Sequence, residues 1–201
     1  MAIREDLLIT FGAEILHIKQ SGILFKENDA PEYYFQIIKG KVKLVNFNNG
    51  NGEFIQSIHE EGDSFGEIFL FCKHHRYPVS AVAAKDSVVL RLEQSRLLQL
   101  LESDFEIQLN FLKSCAERTY YSYVFLNSLT SEDATHQLLT VLDHLKESHA
   151  TPETETQRYK IPYTRKELSH LTGLRIETVI RILRKLEREK IVEIIKGRVY
   201  Y

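Results

Sequence analysis

The residue types best suited to chemistry in this chain lie near its end. Glu177, Arg181, Arg184 or Lys185, and Arg188 recur at helical spacing between about Ile176 and Lys190. Side chains three or four positions apart share one helix face, so these groups form a single polar stripe. An arginine fork matches the acceptor pair of guanine, and a glutamate accepts from the amino group of cytosine. The chemistry on offer is recognition of base edges. Val179, Leu183 and Leu186 fall on a separate face and are expected to pack inward.

Such a helix needs a support, and the preceding residues supply one. Thr164 and Glu167 form a T-x-x-E capping box that starts a short helix through Leu171, and Gly173 provides the turn. Two short helices joined by a glycine turn, the second basic on its outer face, predict a helix-turn-helix. A solvated helical hairpin would need only the charges, whereas here cap, turn, core spacing and basic face agree. The tail from Ile194 to Tyr200 reads as a hairpin with Lys196 and Arg198 at its turn, placed as a wing. Charge follows the same division. The 163–198 stretch holds ten Lys/Arg against five Asp/Glu, an excess of five positive charges, although the whole chain carries −2. The remainder is therefore at −7, and the basic face is masked in the total.

The elements before this segment change character twice. From Ala13 to about Leu92 short alternating runs, such as Lys41 to Val45 and Glu53 to Ile58, alternate with turn residues, among them the Asn/Gly run at 48–52. Many short strands with no helical pattern between them predict an antiparallel barrel or jelly-roll, so the fold class is α+β. From Gln94 to about Leu126 there is no Gly or Pro, and a long helix over about 94–127 is expected. Phe105, Leu109, Leu112, Ala116, Thr119, Tyr123 and Leu126 form a heptad seam on it. A second stripe holds Phe111, Cys115, Arg118, Ser122 and Phe125. One stripe is expected to pair with its copy in a second chain, giving a homodimer. The alternative is that one covers the barrel and the other meets the second domain; the sequence leaves open which face does which.

A break at 128–131 divides the chain into domains 1–128 and 129–201. The helix that follows carries Leu138, Val141, Leu142 and Leu145 on one side, and 148–157 reads as a polar loop. With 201 residues and 43% hydrophobic content the chain can fill two small cores. No stretch is long and apolar enough for a membrane span, and Arg4, Glu5 and Asp6 interrupt the start where a signal peptide is apolar, so a cytoplasmic location is expected. The two cysteines, Cys72 and Cys115, are too few for a disulfide framework or a four-thiolate cluster. No nucleophile elbow, P-loop, H-E-x-x-H or paired-cysteine zinc pattern occurs, so no enzyme is expected.

The C-terminal motif Thr164-Arg-Lys-Glu-Leu, Thr172-Gly-Leu, Glu177-Thr-Val-Ile-Arg181 resembles the helix-turn-helix signature of the CRP/FNR family of bacterial transcription regulators. Residues Glu14 to Lys19, Gly22 to Asp29, Tyr34 to Leu44, Gly62 to Ile68 and Pro78 to Ala83 are similar to that family's cyclic-nucleotide-binding-type β-roll, in family order. The resemblance implies a homodimer joined along the central helix and DNA binding through Thr164, Arg165, Arg175, Ile176, Glu177, Thr178, Ile180, Arg181, Lys185, Lys196 and Arg198. It implies an inverted repeat with TGA-like half-sites, and RNA polymerase as a further partner. Arg175 and Ile176 stand where cyclic-AMP-binding members have serine and arginine, and Ile180 where relatives have glycine or serine, so the outer bases of the half-site should differ.

The resemblance also implies an effector pocket built from Gly66, Glu67, Ile68, Arg76, Val79 and Ser80, with Tyr121 and Ser122 of the central helix. In nucleotide-binding members the glutamate of the Gly-Glu turn holds the ribose, and an arginine before the Ser-Ala pair neutralises the phosphate. Val79 occupies the arginine position here, so the usual cyclic-AMP mode is not expected, with Arg76 the residue that could reach the same pocket. Cys72, His74 and His75 are similar to the Cys-x-His of haem-containing members but lie later relative to the turn, which leaves a haem- or metal-dependent sensor and a cyclic-nucleotide module as alternatives. The sequence identifies no cofactor.

Overall fold

The computed structural model describes residues 3–47, 53–129, 133–148 and 158–201. The expected turn at 48–52, residues 130–131 of the expected break and residues 149–157 of the polar loop lie outside the described residues. The chain forms two compact units, Met1–Glu117 and Arg118–Tyr201.

In the first unit a short helix, α1 (Glu5–Thr10), precedes strands β1 (Glu14–Ile18), β2 (Ile23–Phe25), β3 (Tyr33–Lys39), β4 (Lys41–Phe47), β5 (Glu53–Glu60), β6 (Ser64–Phe65), β7 (Ser80–Ala83) and β8 (Ser87–Glu93). They pair antiparallel in two four-stranded sheets, ordered β1-β8-β3-β6 and β2-β7-β4-β5. This is the expected roll. Period-two alternation sends β8 side chains two ways. Val89 joins Phe35, Ile37, Val42 and Phe65 in one core, whereas Leu90 and Leu92 join Leu8, Leu97 and Leu100 in another. Each fully buried Leu, Ile or Phe in these clusters contributes about 1.5–3 kcal/mol. On β4, Lys41 pairs with Glu60 at 2.7 Å and Lys43 with Glu53 across the β4–β5 ladder.

The long helix expected over 94–127 is two helices. α2 (Gln94–Ser103) ends at Asp104, whose backbone is extended at φ −149° and ψ 113°. The Asp104 carboxylate accepts from the N–H groups of Glu106 and Ile107 at 2.8 and 3.2 Å, capping α3 (Phe105–Leu129). The capping aspartate makes the break that the lack of Gly and Pro concealed. α3 crosses the division between the units at residues 117 and 118.

The second unit continues with α4 (Ala134–Ser148), α5 (Arg165–Thr172), α6 (Ile176–Arg188), β9 (Glu193–Ile195) and β10 (Arg198–Tyr200). Leu138, Val141 and Leu142 of α4 are buried, with Leu168 of α5 and Leu183 and Leu186 of α6, and α4 packs against both α5 and α6.

Candidate nucleic-acid interface

Thr164 caps α5 through both bonds of a capping box. Its hydroxyl accepts from the Glu167 N–H at 3.2 Å, and its own N–H donates to the Glu167 carboxylate at 2.7 Å. Gly173 ends α5 at φ 71°, the left-handed conformation that favours glycine. The turn is tightened by Ser169, whose hydroxyl donates to the Leu174 carbonyl at 2.6 Å, and by Thr172, which donates to the Leu168 carbonyl at 2.7 Å. These bonds set where α6 begins. Val179, Leu183 and Leu186 are buried as expected, and so is Ile182.

The opposite face of α6 is a shallow concavity lined by Glu177, Ile180, Arg181, Arg184, Glu187 and Arg188. Glu177, Arg181, Arg184, Lys185 and Arg188 are exposed, and Ile176, Thr178 and Ile180 half-buried. Arg175 is the exposed residue just before the helix. A second hollow joins Arg181, Lys185 and Arg188 to Asp133, Ala134 and Thr135 at the start of α4. There the Asp133 carboxylate accepts from the Thr135 N–H at 2.8 Å, which holds its pKa below the usual carboxylate range; Lys185 adds to the effect.

The wing is larger than the expected hairpin. β9 and β10 pair through a two-residue turn in which Lys196 and Gly197 both have positive φ, 47° and 78°. Residues 159–161 add to the other edge of β10: the Ile161 N–H donates to the Val199 carbonyl at 2.9 Å, and Tyr159 and Tyr201 exchange both backbone bonds. The Tyr201 hydroxyl donates to the Asp143 carboxylate of α4, and burial together with that carboxylate pushes the phenol pKa up. Lys196 and Arg198 are exposed at the tip. Arg165, half-buried, donates from its guanidinium to the Gly197 carbonyl at 3.1 Å, tying α5 to the wing turn.

On α3 the two stripes separate. Phe105, Leu112, Tyr123 and Leu126 are 56–70% exposed, Ala116 and Thr119 are exposed, and Leu109 is half-buried. Phe111, Cys115, Arg118 and Phe125 are half-buried, and Ser122 is exposed. Phe111 packs against the core under α2 and meets Phe71 edge-on at 5.8 Å. The seam left uncovered by its own chain is therefore the first stripe, and Phe111 belongs to the chain's own packing.

Gly66, Glu67, Ile68, Arg76, Val79 and Ser80, expected at an effector pocket, all lie in the first unit. Gly66 sits at φ 76°, and Glu67 is 1% exposed, its carboxylate accepting from the Ser64 hydroxyl at 3.2 Å. Ile68 turns outward. Val79 is buried in the apolar core, and the Ser80 hydroxyl accepts from the Glu27 N–H at 2.9 Å. Arg76 is exposed and donates to the Asn28 carbonyl at 2.8 Å. A cyclic nucleotide held in the usual mode does not fit these residues. Tyr121 and Ser122 lie in the second unit. There the Tyr121 ring stacks on His144 with centroids 3.2 Å apart, burial raises its pKa to about 12, and Ser122 donates to the Arg118 carbonyl. Cys72, His74 and His75 are exposed, and among the described residues no group of three His, Cys, Asp or Glu is placed to hold a metal.

Residues 15–104 match the family model for the cyclic nucleotide-binding domain, and residues 136–200 match that for the Crp-like helix-turn-helix domain. The chain is 28% identical over 174 residues to the cAMP-activated global transcriptional regulator Vfr of Pseudomonas aeruginosa, covering 85% of this chain and 80% of that protein. It is 25% identical over 170 residues to the cAMP-activated global transcriptional regulator CRP of Salmonella typhimurium, covering 84% and 80%. Its fold is similar to the structure of FixK2 from Bradyrhizobium japonicum, with a TM-score of 0.75 at 20% identity over 94% of this chain and 91% of that one.

Proposed function

We propose, from the premise that this chain is a DNA-binding transcription regulator of the CRP/FNR family and not an enzyme, that it binds an inverted repeat as a homodimer and reads each half-site through α6. One observation carries this reading: α6 buries Val179, Ile182, Leu183 and Leu186 and presents Glu177, Arg181, Arg184, Lys185 and Arg188 together on its free face. Glu177 and Arg181 are one turn apart in the N-terminal half of the helix, the part that reaches base edges in a major groove. Arginine suits guanine and glutamate suits cytosine, in keeping with TGA-like half-sites. The wing supplies Lys196 and Arg198 for phosphates, and Arg165 holds the wing to α5.

The exposed seam of Phe105, Leu112, Ala116, Thr119, Tyr123 and Leu126 supports pairing of two chains along α3. Two copies related by a two-fold axis would place their α6 helices at half-sites about one helical turn apart, roughly 10 bp. A regulator bound at such a repeat has RNA polymerase as its natural second partner and works in the cytoplasm.

Titrating labelled DNA with variants tests the division of labour. Arg181→Ala should lose about 1–3 kcal/mol per half-site and relax preference at one guanine. Lys196→Ala should weaken all sequences alike and reduce the salt slope by about 1. An Arg181→Ala protein with unchanged base preference would overturn the assignment of α6.

A further inference from the structure

The Gly66-Glu67 turn of the roll is covered from inside by two aromatic rings. Phe25 and Tyr77 stack with centroids 3.6 Å apart and planes 9° apart, and Phe69 closes on Tyr77 edge-on at 5.8 Å. The rings lie against the turn: a Cβ on Gly66 would stand 3.1 Å from Phe25 and 3.5 Å from Tyr77. Val79, at the position of the missing arginine, belongs to the same cluster. The four arginines of this unit are engaged elsewhere, Arg4 with Asp6, Arg76 with the Asn28 carbonyl, Arg91 with Glu14 and Arg96 with the Phe11 carbonyl.

Tyr77 is fixed from both sides. Its N–H donates to the Asp29 carbonyl at 3.0 Å and its carbonyl accepts from the Asn28 N–H at 2.8 Å. The side chain is 2% exposed, and its hydroxyl has no hydrogen-bond partner among the described residues. Burying a hydroxyl unpaired is unfavourable, so the packing of the ring must outweigh that loss. Burial, then the charges of Glu32, Asp29 and Glu67, push its pKa up, which keeps the phenol neutral beside the turn. The ring therefore stands beside the turn whose glutamate, in the nucleotide-binding members that this chain resembles, holds the sugar.

We propose that Tyr77 is an internal occupant of the roll, standing beside Glu67 in place of a nucleotide's sugar, and that this regulator binds DNA without a cyclic-nucleotide effector. The proposal rests on the reading of the chain as a DNA-binding regulator, and its test separates the two. In calorimetry on the full chain, cyclic AMP and cyclic GMP at 1 mM should give no binding isotherm. DNA affinity at the preferred repeat should change less than twofold when either nucleotide is added. Tyr77→Phe removes only the unpaired hydroxyl and should hold or raise the melting temperature with DNA affinity within twofold. Tyr77→Leu should lower the melting temperature, and millimolar p-cresol, the free side chain of tyrosine, should restore part of the loss without moving the wild type. A micromolar nucleotide isotherm, a DNA affinity raised tenfold by nucleotide, or a Tyr77→Phe protein that melts as low as Tyr77→Leu would each overturn the proposal. A protein that binds no DNA under any condition would overturn the regulator reading instead, while the calorimetry would still decide the role of Tyr77.

Discussion

Replacing Thr164 by alanine removes one bond from the start of the helix that supports α6. The wild-type hydroxyl accepts from the Glu167 N–H, and the reciprocal bond, from the Thr164 N–H to the Glu167 carboxylate, survives the change. Loss of an N-cap acceptor costs about 1 kcal/mol, within a range of about 0.5–2. The unit that melts spans residues 118–201, a size at which 1 kcal/mol moves the midpoint by roughly 4–8 °C. Thr164→Ala should therefore lower the second unit's transition by about that amount in calorimetry, and Thr164→Ser, which keeps the acceptor, should restore most of it. Amide exchange at Glu167 should quicken in the alanine variant only, because that N–H has lost its acceptor. Since a native domain holds about 5–15 kcal/mol in reserve, the variant stays folded at 25 °C. An alanine variant melting within 1 °C of wild type, or a serine variant that rescues nothing, would refute the reasoning.

Other outcomes follow from the same geometry. Leu112→Glu puts a charge into both halves of the α3 seam and should give monomers in light scattering at micromolar protein, whereas Phe111→Glu should lower the first unit's melting temperature; a dimeric Leu112→Glu protein would contradict the seam. Arg165→Met should loosen the wing turn, seen as faster amide exchange at residues 197–199, and weaken DNA binding with no change in base preference. Burial raises the Tyr121 pKa from about 10 to about 12, so its contribution to stability is present below pH 10 and is lost as pH rises from 10 through 12. Tyr121→Phe should therefore show a melting temperature that depends less on pH across that window, and identical profiles would show that the Tyr121 hydroxyl does not contribute to it. Asp104→Ala removes the cap between α2 and α3 and should cost about 1 kcal/mol without altering base preference.

Local signals make much of this molecule legible in its sequence. The T-x-x-E pattern and Gly173 marked both ends of α5, because caps and left-handed turns are chemistry of neighbouring residues. Alternation marked β4 and β5, and spacing separated the buried and free faces of α6. What was not legible depends on contacts distant in sequence or on a weak local signal. Asp104 breaks the helix by capping, a signal less obvious than Gly or Pro. Residues 159–161 join the wing from beyond a polar stretch, and Arg165 turns to a carbonyl 32 residues away. Val79 was visible as the absence of an arginine, but nothing near Tyr77 announces that its ring reaches Phe25, which is 52 residues earlier.

The most direct measurement is selection of binding sites from random double-stranded DNA by the 201-residue chain, with no nucleotide added. The expected product is an inverted repeat with TGA-like half-sites whose centres lie about 10 bp apart, one helical turn, with the same selection by Arg181→Ala losing one guanine from each half. Recovery of no dyad, or of an unchanged motif with the Arg181→Ala protein, would contradict a dimer that reads DNA through the free face of α6.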